Sequence, residues 1–396
     1  MDNKRKVKVG LIGLGNIGGR THVKNLKTLE AVEVVGVCDI KKDKADKAAA
    51  ELNTKAYYNH TELFEKSGLE AVIIAVPHYD HTPISVEAFS RGLHVLCEKP
   101  VAVHVNDAKK TMEEYEKAKA KNPNIVFGMM FQERTLPFHK KIKDIIDGGE
   151  LGQLIRVTWI NTAWFRSQAY YDSSDWRATW AGEGGGILTN QCPHNLDLYQ
   201  WLFGVPARIS GFAHIGKYHN IEVEDEVTAY FEHDNGMIGH FIVTTAETPG
   251  TNRFEIVGEY GNLVYEKEKL VFYRNRTSML KFSKETKEGF GKIESWYTEI
   301  PVNVNAPKGH IVVTEKFFNA VLNGGGELIA HGNEGIKSVT IANAIMLSSF
   351  SKKMIDIPFD GEEYENKLEE LKKTSRFVKT IRNDVETDIS KSFSKG

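Results

Sequence analysis

The chain has 396 residues and a formal net charge of -2, with 41% hydrophobic and 26% charged residues. That is ordinary for a globular protein, and a balance so near neutral provides no basic field to recruit nucleic acid or an anionic membrane surface. The length favours two domains over one core, and no apolar run reaches the roughly 18 residues that span a bilayer.

The three cysteines, Cys38, Cys97 and Cys192, are scattered and form neither a disulfide framework nor a zinc pattern, which fits a cytoplasmic protein. The N-terminus, Met1 to Lys6, leads straight into the first strand-like run, so no signal peptide is expected.

In chain order, residues 7–12 predict a strand, and Gly13-Leu14-Gly15-Asn16-Ile17-Gly18 follows it directly. Gly13 permits a tight strand-to-helix turn, and Gly15 leaves bare backbone for a pyrophosphate. Gly18 lets the helix predicted over 16–29 lie close to the sheet, its positive end toward the phosphates. The next apolar run, 32–38, ends at Asp39, which lies 21 residues past Gly18. A carboxylate there accepts hydrogen bonds from an adenosine ribose. It favours NAD, since it repels a 2′-phosphate; Lys41 and Lys42 lie close enough to leave NADP open. Strand-like runs at 71–76, 93–97 and 125–131 alternate with helix-like stretches at 41–52, 80–91 and 104–121. Their continuous hydrophobicity marks strands buried on both faces. The prediction is an α/β chain whose residues 1–130 form a Rossmann, doubly wound parallel sheet.

After about residue 150 strand signals follow one another: 154–165, 208–218, 226–233, 237–246, 253–258 and 263–273. Asp234-Asn235-Gly236 and Tyr260-Gly261-Asn262 read as hairpin turns. This predicts a C-terminal α+β domain over 131–360 with a large, mainly antiparallel sheet, and helices at 310–323 and 333–352 packing on it. Apolar residues on both sheet faces (Val227, Ala229 and Phe231 against Thr228 and Tyr230) call for a second subunit as cover. Residues 361–396 read as a charged extension, with a surface helix over 362–384 and the last ten or so residues loose.

Ligands of an open parallel sheet bind beyond the C-terminal strand ends. Besides the glycine loop, Ala75-Val76-Pro77-His78-Tyr79-Asp80-His81 and Cys97-Glu98-Lys99-Pro100 end there. Pro100 biases Lys99 toward extended geometry, so its ammonium projects to the cofactor edge and can stabilise an alkoxide. Gly184-Gly185-Gly186 precede a helical spacing that puts Asn190, His194 and Asp197 on one face, where His194 can accept a hydroxyl proton. Tyr115 and Lys119 match the Tyr-x-x-x-Lys pair of short-chain dehydrogenases, but their charged surroundings, 113–121, read as a solvated helix face. His78 and His81 lack a third ligand at useful spacing, so no metal is expected.

These pieces, with Arg134 followed by Pro137, resemble the glucose–fructose oxidoreductase / inositol dehydrogenase / MocA family of NAD(P)-dependent sugar oxidoreductases. The resemblance implies that Lys99 and His194 do the chemistry. It implies cofactor contacts from Gly13, Gly15, Asn16, Ile17, Gly18, Asp39, Pro77, His78, His81, Glu98, Lys99 and Gln132, and assembly as a dimer or tetramer. The chain departs from the family twice. Asn190 stands where an Asp-x-x-x-His-x-x-Asp stretch begins, so it cannot share a proton with the base and only hydrogen-bonds substrate or cofactor. His78 stands where the turn commonly has Asn.

The segment with Trp164, Arg166, Tyr170, Tyr171, Trp176, Arg177 and Trp180 guides the substrate class, since aromatic faces stack on sugar C–H faces and arginines grip hydroxyls. Trp164, Arg166, Tyr171, Trp176 and Arg177 are therefore expected at the substrate, with Lys99, Asn190, His194 and His310; Trp159 and Trp201 are expected in the core. The density resembles the family branch acting on inositols, levoglucosan-type anhydrosugars and glycosides oxidised at ring carbon 3. The expected activity is NAD-dependent oxidation of a secondary ring hydroxyl. Two rivals are a glycoside-cleaving enzyme that retains NAD and eliminates after transient oxidation, and a cofactor-binding regulator without catalysis.

Overall fold

The computed structural model describes residues 5–375. The first four residues, the end of the expected 362–384 helix and the loose C-terminal stretch lie outside the described residues. Among those described, six parallel strands form one sheet: β1 (Val7–Ile12), β2 (Val32–Cys38), β3 (Ala56–Tyr57), β4 (Ala71–Ile74), β5 (His94–Cys97) and β6 (Phe127–Met129). Their order is β3-β2-β1-β4-β5-β6, so the reversal at β1 opens the crevice where this architecture binds nucleotides. All four residues of β4 are buried, the signature of a strand covered on both faces.

The second sheet has nine strands: β7 (Leu154–Asn161), β8 (Arg208–Ile215), β9 (Glu224–Glu232), β10 (Ile238–Thr244), β11 (Asn252–Gly258), β12 (Gly261–Glu266), β13 (Lys269–Asn275), β14 (Ser295–Glu299) and β15 (Ile355–Asp356). All its pairings are antiparallel except β7 with β10. Here burial alternates. Val227, Ala229 and Phe231 point into a core shared with the helices Pro193–Phe203 and Gly335–Ser351, while Thr228 is exposed and Tyr230 half-buried. On the same outward face, Phe212, Tyr273 and Tyr297 are 56%, 42% and 62% exposed.

Three expectations are corrected. The run 263–273 is a hairpin, because Lys267 and Glu268 both take positive φ (51° and 57°). That two-residue turn normally announces itself by Asn or Gly. The first part of the 16–29 helix is a wider π-type turn, Ile17–His22, before the α-helix Val23–Thr28. The helix His310–Leu322 packs on the parallel sheet, with Val313, Phe317 and Val321 in the cluster of Val7, Val9 and Leu96. Its chain then pairs with β6, where the Met129 N–H donates to the Ala330 carbonyl at 3.1 Å. The helix Gly335–Ser351 does pack on the antiparallel sheet, its Ser348 and Ser349 hydroxyls accepting from the β8 N–H groups of Gly211 and Ala213.

Candidate active site

The glycine loop has the shape its residue types require. Gly13 has φ +89°, and a Cβ on it would lie 2.3 Å from the Ala75 carbonyl oxygen; one on Gly18 would lie 1.8 Å from the Gly13 carbonyl oxygen. A Cβ on Gly15 would meet nothing within 4 Å, so bare, exposed backbone faces open space at the sheet's C-terminal edge. Asn16 and Ile17 start the turn that follows. The Asp39 carboxylate is oriented by two backbone donors, Leu14 N–H and Lys41 N–H, both at 2.8 Å. Each oxygen keeps a lone pair for a ribose hydroxyl. These residues fit a dinucleotide.

At the end of β5, the buried Glu98 Oε1 is 3.0 Å from His22 Nε2 and 4.0 Å from His310 Nε2. Burial alone would raise the Glu98 pKa. The His22 hydrogen bond and the charges of His22, His310 and Lys99 outweigh it and hold the carboxyl at about 2. Lys99 Nζ donates to the Asn190 backbone carbonyl at 2.6 Å. Burial lowers the Lys99 pKa below its ordinary value, against the opposing charges of Glu98 and Glu183.

His194 is 6% exposed, and burial, then the Lys99 charge, pushes its pKa well below the usual imidazole value. Its Nε2 meets the Gln132 amide nitrogen at 3.0 Å, while His194 Nδ1 and Gln132 Oε1 are buried with no hydrogen-bond partner among the described residues. Reversing the amide swaps the imidazole tautomer and leaves the same pair of groups open. Unpaired buried polar atoms are rare, and this pair, one on Gln132 and one on His194, suits a ligand's polar groups.

Asn190 and His194 do not share one continuous helix. The short helix Ile187–Asn190 ends at Gln191, and the helix Pro193–Phe203 starts with proline at its first turn. Asp197 is fully buried in an ion pair with Arg134.

Most of the expected substrate segment comes together. The Arg177 guanidinium lies over the Tyr170 and Trp176 rings at 4.4 and 4.8 Å, and that of Arg166 lies over Tyr170 and Trp164 at 5.1 and 5.7 Å. Both arginines act on Lys99 through their charge. His78 reaches the same segment, with Nδ1 3.2 Å from the Glu183 carbonyl and its ring edge-on to Trp176. Pro77 precedes it at the helix start.

Two expected site residues lie elsewhere. Tyr171 is 3% exposed in the core, its hydroxyl bonded to Thr245 at 2.8 Å, because the turn Gln168–Tyr171 carries it inward. His81 has both ring nitrogens against protein carbonyls, Pro100 at 2.6 Å and Val76 at 2.9 Å, so it ties the two strand-end turns together. As expected, Trp159 stacks on Phe254 in the core; Trp201 packs against the same core, half-buried beneath the Arg134 guanidinium. Tyr115 packs against Phe89 and Phe127 on the long helix Val105–Lys121.

The sequence reading missed His22, Glu183 and Glu224. Glu224 Oε1 accepts from Gly186 N–H and Leu188 N–H at 2.9 and 3.0 Å, fixing the turn that presents Asn190. Only Glu183 had a local signal, its place directly before the glycine run.

A reversing parallel sheet, a glycine loop paired with an acid and a lysine–histidine cleft together define a nicotinamide-dependent oxidoreductase. Comparison with known proteins narrows the class. Residues 7–122 match the oxidoreductase family NAD-binding Rossmann fold, and residues 139–264 match the GFO/IDH/MocA C-terminal domain. The chain belongs to the GFO/IDH/MocA oxidoreductase family.

It is 24% identical over 333 residues to levoglucosan dehydrogenase of Pseudarthrobacter phenanthrenivorans, covering 75% of this chain and 82% of that protein. It is 26% identical over 210 residues to scyllo-inositol 2-dehydrogenase (NAD(+)) of Bacillus subtilis, covering 51% and 56%. Other curated relatives are likewise matched over only about half to two thirds of their length, such as 60% for an uncharacterized oxidoreductase of Synechocystis. Among solved structures, the WlbA dehydrogenase of Bordetella pertussis in complex with NADH and UDP-GlcNAcA superposes with a TM-score of 0.74 at 24% identity, over 90% of this chain and 100% of that one. Levoglucosan dehydrogenase with NADH and levoglucosan gives 0.72 at 20%, over the same shares. No helix among the described residues is long and apolar enough to cross a membrane.

Proposed function

We propose that the chain oxidises a secondary ring hydroxyl of a carbohydrate, at carbon 3 of a sugar or glycoside or on a cyclitol, to a ketone with NAD. The observation that carries this is the convergence of the Lys99 ammonium with a buried, neutral His194 at the cofactor edge. Gly13–Gly18 and Asp39 hold the dinucleotide, which when bound accepts the hydride. With the Gln132 amide turned so that its oxygen accepts from Nε2–H, His194 Nδ1 keeps its lone pair and takes the hydroxyl proton, and Lys99 stabilises the oxygen as its charge develops. The names of the levoglucosan and scyllo-inositol relatives support the substrate class. The test is to screen inositols, hexoses, anhydrosugars and glycosides for NADH formation. Absence of turnover with every ring alcohol would overturn the reading. NADH released in step with keto product separates a dehydrogenase from an enzyme that retains its cofactor and eliminates, and from an inactive regulator.

Asp39→Ala is expected to weaken NAD about tenfold, the scale of one charged hydrogen bond, and to improve relative use of NADP. A wild type that already prefers NADP would refute that role.

Arg177→Ala and Arg166→Ala are each expected to raise KM about tenfold or more by removing a charged donor from bound sugar. An unchanged KM and substrate ranking in both would make the segment structural.

The outward sheet face with Phe212, Tyr273 and Tyr297 supports a homodimer or homotetramer built on it. Sedimentation at micromolar concentration should then show a species well above 44.6 kDa; a monomer alone would sink this.

A further inference from the structure

One buried carboxylate has no part in the chemistry so far. Glu183 is 1% exposed. Its Oε2 accepts from Ala178 N–H at 2.5 Å, its Oε1 accepts from the Asn190 side-chain amide, and the Arg177 guanidinium lies 3.9 Å away. Asn190 presents its main-chain carbonyl to Lys99 Nζ at 2.6 Å. Glu183 thus grips by the side chain the residue that grips the ammonium by the main chain.

A buried ammonium beside two guanidiniums stays charged only if carboxylates compensate it. Glu98 is one such group, but His22 and His310 share its charge. Arg177 and Arg166 lower the Lys99 pKa, and Glu183 opposes them.

We propose that Glu183 is the positioning carboxylate of this site, holding Lys99 charged and aimed at the substrate oxygen through Asn190. The acid that the related pattern carries at position 190 is, in this chain, supplied from position 183. The inference rests on the reading of Lys99 as the oxygen-stabilising group, and it predicts an exchange. Acids at both 183 and 190 would adjoin and repel, whereas an acid at either one suffices.

Glu183→Gln removes the charge at nearly constant shape, since the Asn190 amide can rotate to meet the new one. The test labels the NADH-bound protein, without sugar, with a trace of acetic anhydride, and follows acetylation of the Lys99 peptide by mass spectrometry from neutral to alkaline pH. Glu183→Gln is expected to raise Lys99 reactivity at neutral pH about tenfold, because losing the opposing carboxylate lowers the ammonium pKa further. Adding Asn190→Asp should return it toward wild type. If Glu183→Gln does not fold, Glu183→Asp, which retracts the charge, should show a smaller rise of the same sign.

On the best sugar from the panel, the alkaline limb of kcat in Glu183→Gln should move to lower pH, and Asn190→Asp should restore it. Unchanged Lys99 reactivity in a folded Glu183 variant, or no return with Asn190→Asp, would overturn the proposal. Because the labelling needs no substrate, a wrong sugar assignment leaves its outcome readable.

Discussion

His194→Ala and Lys99→Ala are each expected to lower kcat about 100-fold or more, the usual scale for a lost acid–base or electrostatic group, with NADH affinity nearly unchanged. The asymmetry follows from where the residues sit. On the proposed function the glycine loop and Asp39, at the ends of β1 and β2, hold the dinucleotide, whereas His194 lies on the helix Pro193–Phe203.

The pH profile should carry the same signature. Burial and the Lys99 charge lower the His194 pKa well below 6.5, so the base remains unprotonated through neutral pH and the acid limb of kcat lies well below 6.5. Burial lowers the Lys99 pKa from 10.5, so charge at the oxygen is lost as pH rises through a value below 10.5, and the alkaline limb falls there. Steady-state kcat across pH, with NADH binding followed by fluorescence, checks both. Near-normal kcat in His194→Ala would move the base elsewhere, with His310, 4.0 Å from Glu98, the next candidate.

The Rossmann half was legible because each of its signals is local. The glycines, the acid at the end of β2 and four-residue runs such as β4 act within one strand–turn–helix unit. The small unit of β3 and the helix His60–Lys66 was missed although Asn59 caps it, accepting from Thr61 N–H at 2.8 Å. Two residues of strand are too few for a periodic pattern.

The approach of Lys99 to His194 in the candidate site was legible because a motif reports each, and the rest was illegible where partners come from afar. His22 meets Glu98 across 76 residues. Aromatic density placed Trp164, Trp176 and both arginines in one cluster, but it could not tell Tyr171 from Tyr170. In that short turn one ring faces the core and its neighbour faces the cluster, and neither periodicity nor composition decides which.

The largest effect on stability is expected at Arg134 and Asp197, which are 3% and 0% exposed. The guanidinium binds the carboxylate bidentately through one edge, Nε to Oδ2 at 2.8 Å and Nη2 to Oδ1 at 2.6 Å. Nη2 also reaches Glu334 Oε2 at 2.9 Å, and Gln200 donates to Asp197 Oδ1 at 2.9 Å. Removing one partner strands a buried charge, so Asp197→Ala and Arg134→Ala should each cost about 3–5 kcal/mol and lower the urea midpoint accordingly. Replacing both by apolar residues, Arg134→Met with Asp197→Leu, should cost less than either single change, because the fully buried Asp197 charge goes with its partner and only the partly exposed Glu334 loses one.

Activity should fall in the single variants even where they stay folded. Asp197 lies one turn beyond His194 on the helix Pro193–Phe203, and Arg134 lies two residues beyond Gln132 in the turn Gln132–Thr135. The ion pair therefore locks the base and the amide that sets its tautomer into one register. Urea unfolding and kcat measured on the same variants check this. Single substitutions costing under about 1 kcal/mol, the level of an exposed pair, would show that the pair does not hold the site together.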